Sequence, residues 1–283
     1  MSTGVWGKRK LEEFTASQIQ RLNELGIDNT CDQFDSVNKR NHSFEEIARH
    51  ATKTSRNQLI DRCGERRRHS VKEMECEIVS HLIADGYTEC FTPIIIKKGG
   101  LYRMGLSEKH SLWRQVFWLN DKECLRPMLA PNLYCMIRHL KRFVSGPLKI
   151  FEVGPCFRKE SQGNKHLEEF TMLNLVEIDS EGDRVERVAD LVKLVMEPLD
   201  LRYELINESS EVYGETIDIM VNGIEVASAS FGPHKLDKMN GVDTPWTGVG
   251  FGIERLVQLL NGETNIKRVG RSLAYLDGVR LDI

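Results

Sequence analysis

The dipeptide Asn222-Gly223 restricts the fold of this chain more than any other sequence feature. It joins two runs of alternating apolar and polar residues, 216–221 and 224–230. Asparagine followed by glycine accepts the positive φ angles of a type I′ turn, so the two runs are predicted to form a β-hairpin. A hairpin excludes an all-parallel sheet. The sequence therefore predicts an α+β fold, with a mainly antiparallel sheet flanked by helices.

Helix starts are indicated by capping boxes, in which Ser or Thr is followed three residues later by Glu or Gln. Three such patterns, at Thr15, Ser43 and Ser70, predict an N-terminal helical segment. The third helix carries apolar residues at helical spacing as far as Ile83 and ends at Gly86.

Later helices and strands are predicted from the same periodicities. One helix starts near Pro131 and buries apolar residues as far as Phe143, and another lies between residues 183 and 198. Besides the hairpin, apolar runs predict strands at residues 93–96, 149–153 and 170–178.

Length and composition fit one large core with at most a small accessory lobe, since 40% of the 283 residues are hydrophobic. The seven cysteines are odd in number and form no Cys-x-x-Cys pair, which argues against a disulfide framework or a thiolate zinc site. No apolar run approaches the ~20 residues of a membrane span, and the first residues lack a signal-peptide core. We therefore expect a soluble, cytoplasmic protein with no membrane partner.

Charge is unevenly placed along the chain, although the formal net charge is only -3. Between residues 39 and 72, Lys and Arg outnumber Asp and Glu by ten to four. Such a segment is able to follow a phosphate backbone, which makes RNA a candidate partner. A solvated helical face with a charged linker explains the same pattern, and this segment alone leaves both interpretations open.

The first chemical motif is Phe157-Arg158-Lys159-Glu160, followed after a polar loop by His166-Leu167-Glu168-Glu169-Phe170. The predicted strand, loop and strand bring an arginine and a glutamate onto a sheet beneath the loop. An arginine fork is suited to hold a carboxylate and a phosphate in line and to stabilise the charge that moves to a leaving group. An exposed strand with an ordinary Arg and Glu is the alternative interpretation.

The second motif is Gly248-Val249-Gly250-Phe251-Gly252, followed by Ile253-Glu254-Arg255. Glycines at a period of two remove the side chains from one face of a strand, so that a flat ligand such as adenine fits against the backbone. The dinucleotide-binding fingerprint has a different glycine spacing, and no repeated βαβ pattern surrounds this run. Glycines kept only for tight packing remain the alternative.

Together the two motifs, about ninety residues apart, resemble motifs 2 and 3 of the class II aminoacyl-tRNA synthetases. Four stretches are similar to pyrrolysyl-tRNA synthetases in particular: residues 125–134, 166–175, 245–255 and 271–278. This resemblance is strong from about residue 70 onward. It implies a class II catalytic domain at residues 70–283 and an N-terminal helical segment at residues 1–69 whose basic residues contact tRNA.

The resemblance implies an ATP-dependent ligase that joins pyrrolysine to the amber-reading tRNA(Pyl) through an aminoacyl-adenylate, with Mg²⁺ as cofactor. It also implies a homodimer formed through motif 1 and no binding of DNA. The chain resembles short family members that lack a separate N-terminal tRNA-binding domain, so we expect it to act alone or with a second tRNA-binding polypeptide. The alternatives are a class II synthetase for another amino acid, such as a phenylalanyl-like enzyme, and a catalytically silent RNA-binding paralogue.

The resemblance also implies roles for individual residues. Arg158 and Arg255 would be catalytic, and Glu225 and Ser228 would bind the metal. ATP would be bound by Arg158, Glu160, His166, Phe170, Glu225, Ser228, Gly250 and Arg255. The amino-acid pocket would comprise Met128, Leu129, Ala130, Leu133, Tyr134, Ile137, Asn174, Val176, Tyr213, Ser228 and Trp246.

Most of these pocket residues are apolar or aromatic, which suits a long, bulky side chain better than a charged one. Asn174 interrupts an apolar strand, so its amide bonds either a neighbouring backbone group or the amide of the substrate. Val176, Ser230 and Phe231 depart from the best-known archaeal members, which changes the expected shape of the pocket.

Overall fold

The computed structural model describes residues 11–28, 32–159, 166–179 and 182–282. These residues divide into two compact units, one within residues 1–69 and 272–283 and the other spanning Ser70–Arg271. The residues from Ser272 onward therefore group with the N-terminal unit, whereas the sequence interpretation kept them with the catalytic domain. Within the described ranges, no helix is long and apolar enough to cross a lipid bilayer.

The smaller unit is mainly helical. Its elements are β1 Glu12–Glu13, α1 Ala16–Glu24, β2 Gln33–Phe34, α2 Val37–Glu65, β12 Tyr275–Leu276 and β13 Val279–Arg280. The capping box at Thr15 is confirmed, because both of its hydrogen bonds are present. The helix start predicted at Ser43 is wrong. Ser36 has the extended backbone and accepts the N–H of Lys39, so α2 begins at Val37 and runs straight through Ser43.

The larger unit is built on one sheet, formed by β3 Thr88–Glu89, β6 Leu148–Phe157, β7 Glu169–Ile178, β8 Glu204–Ser210, β9 Gly214–Val221, β10 Ile224–Phe231 and β11 Trp246–Gly252. The strand order is β3-β6-β7-β11-β10-β9-β8. Only the β3–β6 pair in this order is parallel. The predicted α+β fold with a mainly antiparallel sheet is thereby confirmed.

The β9–β10 hairpin forms as the sequence predicts, since Asn222 and Gly223 have φ angles of 51° and 75°. The strands predicted at 149–153 and 170–178 are also confirmed, although β6 continues to Phe157. The strand predicted at 93–96 forms only in part. A small separate sheet pairs β4 Ile95–Lys97 with β5 Glu123–Leu125, and β4 begins two residues after Pro93, which has no N–H to donate to a ladder.

Helices cover both faces of the main sheet. One face packs against α3 Ser70–Ala84, α7 Arg184–Met196 and α9 Ile253–Leu260, in an apolar cluster that includes Phe251 and Leu173. The other face carries a second apolar cluster with α4 Lys98–Arg103, α5 Ser111–Gln115, α6 Ala130–Leu140 and α8 Lys235–Asn240. Each fully buried Phe or Leu contributes roughly 1.5–3 kcal/mol, so the two clusters hold the layers together.

The helices predicted near Ser70, near Pro131 and between 183 and 198 are confirmed as α3, α6 and α7. Three residues assigned to their apolar faces are exposed. Val185 is 53% exposed in the first turn of α7. Phe143 is 83% exposed, because α6 ends at Leu140 and the chain leaves the core there. Ile83 is 53% exposed, because α3 turns Leu82 inward and the next position faces solvent.

Candidate active site

A cavity of about 570 Å³ opens on the sheet face that carries the second apolar cluster. Strands β7, β10 and β11 form its floor. Helices α5 and α6 and the turn between β8 and β9 form its walls. The whole cavity lies within the larger unit.

Glycines leave the part of the floor formed by β11 without side chains. Gly248, Val249 and Gly250 all line the cavity, but Val249 is only 1% exposed and its side chain packs in the apolar cluster on the opposite face. A Cβ on Gly250 would lie 3.0 Å from Oδ1 of Asn174, and one on Gly248 would lie 3.2 Å from the carbonyl oxygen of Leu175. The alternating glycines therefore expose backbone to a flat ligand.

Arg158 stands at one end of the cavity, immediately after β6. Its Nε donates to the carbonyl oxygen of Pro127 at 2.9 Å, and its guanidinium carbon lies 5.3 Å from the ring centre of Phe170. Its backbone N–H donates to the carbonyl oxygen of Glu168 at 2.9 Å, which continues the pairing of β6 with β7. These contacts hold a planar cation beside an aromatic face, an arrangement suited to phosphate and nucleobase.

Arg255 brings a second positive charge from the first turn of α9. It donates to the carbonyl oxygen of Glu225 at 2.6 Å and lies 3.5 Å from the Glu225 carboxylate. The preceding residue, Glu254, is buried and accepts the backbone N–H of Thr171 at 2.9 and 2.8 Å. Burial raises the pKa of Glu254 above its ordinary value. Because Glu254 ties the start of α9 to β7, Arg255 is held at the edge of the cavity.

Oxygen ligands for a cation are few at this site. Nowhere in the described ranges do three or more His, Cys, Asp or Glu side chains come close enough to hold a metal ion by themselves. Ser228 lies on β10 opposite Gly250, and its Oγ donates to Oδ1 of Asp218 at 2.7 Å. That bond uses the hydroxyl proton and leaves the oxygen lone pairs for a ligand. Glu225 and Ser228 therefore suit an ion that takes few protein oxygens and completes its shell with phosphates and water.

Asn174 lies in the middle of the floor, in register with Glu152 on β6 and Gly250 on β11. Its amide oxygen is buried and has no hydrogen-bond partner in the part of the chain that the structure describes. A buried polar atom left unpaired costs about 1–3 kcal/mol, which a bound ligand would recover. This geometry favours the ligand-binding interpretation of Asn174 over the structural one.

The far end of the cavity is apolar and aromatic. Tyr134 from α6 and Tyr213 from the turn before β9 both meet Trp246 edge to face, with ring centroids 6.0 and 6.2 Å apart. Burial raises the pKa of both tyrosines above the ordinary value, so both remain neutral. Uncharged walls of this kind suit a bulky neutral group.

The structure brings nearly all of the sequence-predicted site residues to this one cavity. Leu129 is an exception, because it is fully buried just before α6 and packs in the second apolar cluster. Glu160 lies outside the described residues. The predicted residues that line the cavity are Met128, Ala130, Leu133, Tyr134, Ile137, Arg158, His166, Phe170, Asn174, Val176, Tyr213, Glu225, Ser228, Trp246, Gly250 and Arg255.

Several residues of the site were not predicted from the sequence. Leu112 and Gln115 of α5 line the cavity, but no motif marks them. Asp218, Asp237 and Glu254 act as hydrogen-bond acceptors for residues around the cavity. The only sequence signal among these three acids is that Glu254 directly precedes the motif arginine.

Residues 58–277 match the family model of the tRNA synthetases class II core domain (F). This range covers most of the chain and includes both cavity arginines, Arg158 and Arg255. The chain therefore belongs to the class II aminoacyl-tRNA synthetases, a class of ATP-using ligases.

Solved structures narrow this assignment. The crystal structure of pyrrolysyl-tRNA synthetase from Desulfitobacterium hafniense is similar with a TM-score of 0.90 and 42% sequence identity, over 96% of this chain and 99% of that chain. A second pyrrolysyl-tRNA synthetase structure from the same organism has a TM-score of 0.88 and 41% identity, over 96% of this chain and 98% of that chain. Within class II, the chain is a member of the pyrrolysyl-tRNA synthetase family.

Curated relatives share a shorter segment. Lysine-tRNA ligases of Neisseria gonorrhoeae and Neisseria meningitidis are 32% identical over 99 residues, which is 35% of this chain. The matching segment spans only 16% of the length of those ligases. This match agrees with the class II core. It covers too little of those ligases to identify the amino-acid substrate, which is inferred below from the geometry of the pocket.

Proposed function

We propose that this chain joins pyrrolysine to the amber-reading tRNA(Pyl) in two steps, through an aminoacyl-adenylate. One observation carries the proposal: a single cavity connects a bare glycine floor near Arg158 and Arg255 to an apolar, aromatic end. The first end suits ATP and the amino-acid carboxylate, and the second suits a long side chain with a bulky neutral tip. Asn174 lies between the two ends and would bond the amide that links such a tip to a lysine chain.

In the first step, the amino-acid carboxylate attacks the α-phosphorus of ATP and pyrophosphate leaves. Arg158 would bind the carboxylate and the α-phosphate together, which offsets their repulsion and aligns them. Phe170 and Arg255 would hold the adenine between them, and Arg255 would also contact the phosphate chain. No side chain has to accept a proton, because the carboxylate is already ionised. In the second step, a hydroxyl of the terminal tRNA ribose takes the acyl group and AMP leaves.

Glu225 and Ser228 would hold Mg²⁺ beside the phosphates. When bound, the ion neutralises phosphate charge and orients the triphosphate. Glu225 lies 3.5 Å from the Arg255 guanidinium. Movement of Arg255 onto the phosphates would free the Glu225 carboxylate for the cation, so each anion would gain a positive partner.

Free lysine fits the aromatic end poorly. The buried carboxylate behind it belongs to Asp237, whose oxygens already accept from Tyr134, Trp246 and the backbone N–H of His234. An ammonium group beside the aromatic rings would lose water without gaining a free anion. The pocket therefore favours a lysine whose amine is acylated, as in pyrrolysine.

Amino-acid-dependent ATP–pyrophosphate exchange tests the first step. The purified chain is assayed with pyrrolysine or a bulky Nε-acylated lysine, and in parallel with lysine and phenylalanine. Exchange with the bulky lysine derivatives alone is the expected result. Exchange with phenylalanine would keep the class II chemistry but change the substrate, and no exchange with any amino acid would favour the silent RNA-binding alternative.

The basic face of α2 is the tRNA contact we propose for the smaller unit. Arg49, Lys53 and Arg56 are exposed at helical spacing along one side of this helix. Replacing all three with alanine is expected to raise the KM for tRNA and to weaken its salt dependence, with pyrophosphate exchange unchanged. The exposed Asn57→Ala is the control. An unchanged KM for tRNA would show that this face of α2 does not contact tRNA. If the chain requires a second tRNA-binding polypeptide, it would catalyse ATP–pyrophosphate exchange alone but would not aminoacylate tRNA.

A homodimer is the proposed assembly. Phe91 is 98% exposed and Ile95 is 52% exposed, and both lie in the segment that leads from β3 into β4. Apolar side chains this exposed are suited to meet a second copy of the chain. Sedimentation is expected to give a dimer that Phe91→Glu converts to a monomer and that Phe143→Glu leaves intact. A monomeric wild type would refute the assembly.

A further inference from the structure

Asp237 accepts hydrogen bonds from three groups behind the aromatic end of the cavity. Its side chain is 4% exposed and lies in the first turn of α8. Oδ1 accepts the hydroxyl of Tyr134 at 2.8 Å and the indole N–H of Trp246 at 3.0 Å. Oδ2 accepts the backbone N–H of His234. One carboxylate therefore links α6, β11 and the turn before α8.

These bonds determine the orientation of two rings. Tyrosine and tryptophan each carry a single polar side-chain group, and in Tyr134 and Trp246 both groups point at the same oxygen. The rings meet edge to face, with an interplanar angle of 83°. Both rings line the cavity, so a change at the carboxylate would alter the shape of its aromatic end.

Gly232 leaves room for this arrangement. A Cβ at this position would lie 2.1 Å from Nε1 of Trp246 and 2.8 Å from Oδ2 of Asp237. Any side chain there would separate the indole from the carboxylate. Position 232 therefore requires glycine, because the hydrogen bond between Trp246 and Asp237 leaves no space for a side chain.

We propose that Asp237 is a positioning residue that sets the width of the apolar end of the amino-acid pocket and thereby selects bulky side-chain tips. This inference rests on the proposed function, in which Tyr134 and Trp246 contact the amino acid. Asp237 is not among the described residues that line the cavity, so it acts through the two rings.

Asp237→Leu tests the inference. Leucine keeps the branched shape of the side chain but accepts no hydrogen bond, so both rings lose the oxygen that orients them. In pyrophosphate exchange, the KM for a bulky Nε-acylated lysine is expected to rise about 10-fold, whereas the KM for ATP changes less than about 2-fold. Asp243→Leu, which removes an exposed carboxylate on the same segment, is expected to change neither KM.

Two further measurements separate positioning from a purely structural role. In a Tyr134→Phe background, Asp237→Leu is expected to raise the amino-acid KM by a smaller factor than in the wild type, because one of its two ring contacts is already absent. The emission of Trp246 is isolated as the difference between each protein and its Trp246→Phe counterpart. Asp237→Leu is expected to shift this difference spectrum in the absence of any substrate, because the indole N–H loses its acceptor.

Equal factors in both backgrounds, an equal rise in both KM values, or an unchanged Trp246 spectrum would overturn the inference. If the wild type shows no exchange with any amino acid, the proposed function fails, and the spectrum still decides whether Asp237 orients Trp246. If Asp237→Leu does not fold, Gly232→Ala disrupts the same contact from the opposite side. It is expected to raise the amino-acid KM, and an unchanged value would also overturn the inference.

Discussion

Asn174 and Gly250 face each other across β7 and β11, and a Cβ on Gly250 would lie 3.0 Å from the amide oxygen of Asn174. The glycine therefore keeps open the space that a ligand of this amide needs. Gly250→Ala is expected to lower kcat/KM for pyrophosphate exchange at least ~10-fold, since a methyl group would occupy the floor. Gly64→Ala, on a helix with nothing near its Cβ, is the control and is expected to leave exchange unchanged.

Asn174→Ala is expected to raise the KM for the amino acid about 10-fold or more, with little change in the KM for ATP. The reason is that the lost hydrogen bond is to the amide of the amino-acid side chain. Separate titrations of the two substrates in the exchange assay check this. Equal loss for both substrates would count against Asn174 as a specificity residue.

Arg158→Ala is expected to reduce exchange by at least ~10²-fold, because no other group would bind the carboxylate and the α-phosphate together. Arg158→Lys should restore little of it, since an ammonium group lacks the planar fork. The exposed Arg202→Ala is the matched control and should behave like the wild type. Near-normal turnover of Arg158→Ala would refute the motif 2 assignment.

Ser228→Ala and Asp218→Ala are expected to raise the Mg²⁺ concentration needed for half-maximal exchange, the second by roughly 10-fold. Asp218 acts through the 2.7 Å bond that orients the Ser228 hydroxyl. Mg²⁺ titration at saturating ATP measures the effect. Identical Mg²⁺ curves for the wild type and both variants would show that the ion binds elsewhere.

Glu177→Gln is expected to change how stability depends on pH. Burial alone would raise the pKa of Glu177, but hydrogen bonds from Arg187 and Tyr87 outweigh it and hold the pKa below the ordinary value. Because the pKa of Glu177 is lower in the folded protein than in the unfolded chain, the ionised carboxylate stabilises the fold at pH values above the unfolded-chain pKa. This contribution disappears as the pH falls through the pKa of the folded protein.

The variant should therefore lose about 1–3 kcal/mol of unfolding free energy at neutral pH and show a shallower decline in acid. Urea unfolding across the acid range provides the measurement. Glu204→Gln, at an exposed position on β8, is the control. If the unfolding free energies of the wild type and Glu177→Gln changed in parallel with pH, the ionised Glu177 would not stabilise the fold.

The parts of the fold that the sequence predicts are those with a local cause. The Asn222-Gly223 turn fixes its own hairpin, and the alternating glycines of β11 expose their own strand face. Strand β8 has no such cause. Most of its residues are polar and exposed, and it forms as an edge strand because β9 supplies the ladder.

The supporting residues of the site depend on distant partners. Tyr134 and Asp237 are 103 positions apart, so no spacing rule connects them. Ser43 has the capping-box pattern but lies inside α2, whereas Ser36, which lacks that pattern because Lys39 follows three residues later, caps the helix through its extended backbone. Motif residues such as Arg158 are predictable because the chemistry requires that residue type. The residues that hold the site side chains in place, such as Asp237 behind Tyr134, depend on the tertiary packing and are not predictable from the sequence.

Charging of tRNA(Pyl) by the purified chain is the direct test of the proposed aminoacylation. Acylated tRNA is separated from free tRNA after incubation with ATP, Mg²⁺ and one amino acid at a time. Acylation is expected with pyrrolysine or a bulky Nε-acylated lysine, none with lysine or phenylalanine, and none with the Arg158→Ala variant. Efficient acylation with lysine or phenylalanine, and none with pyrrolysine, would contradict this proposal.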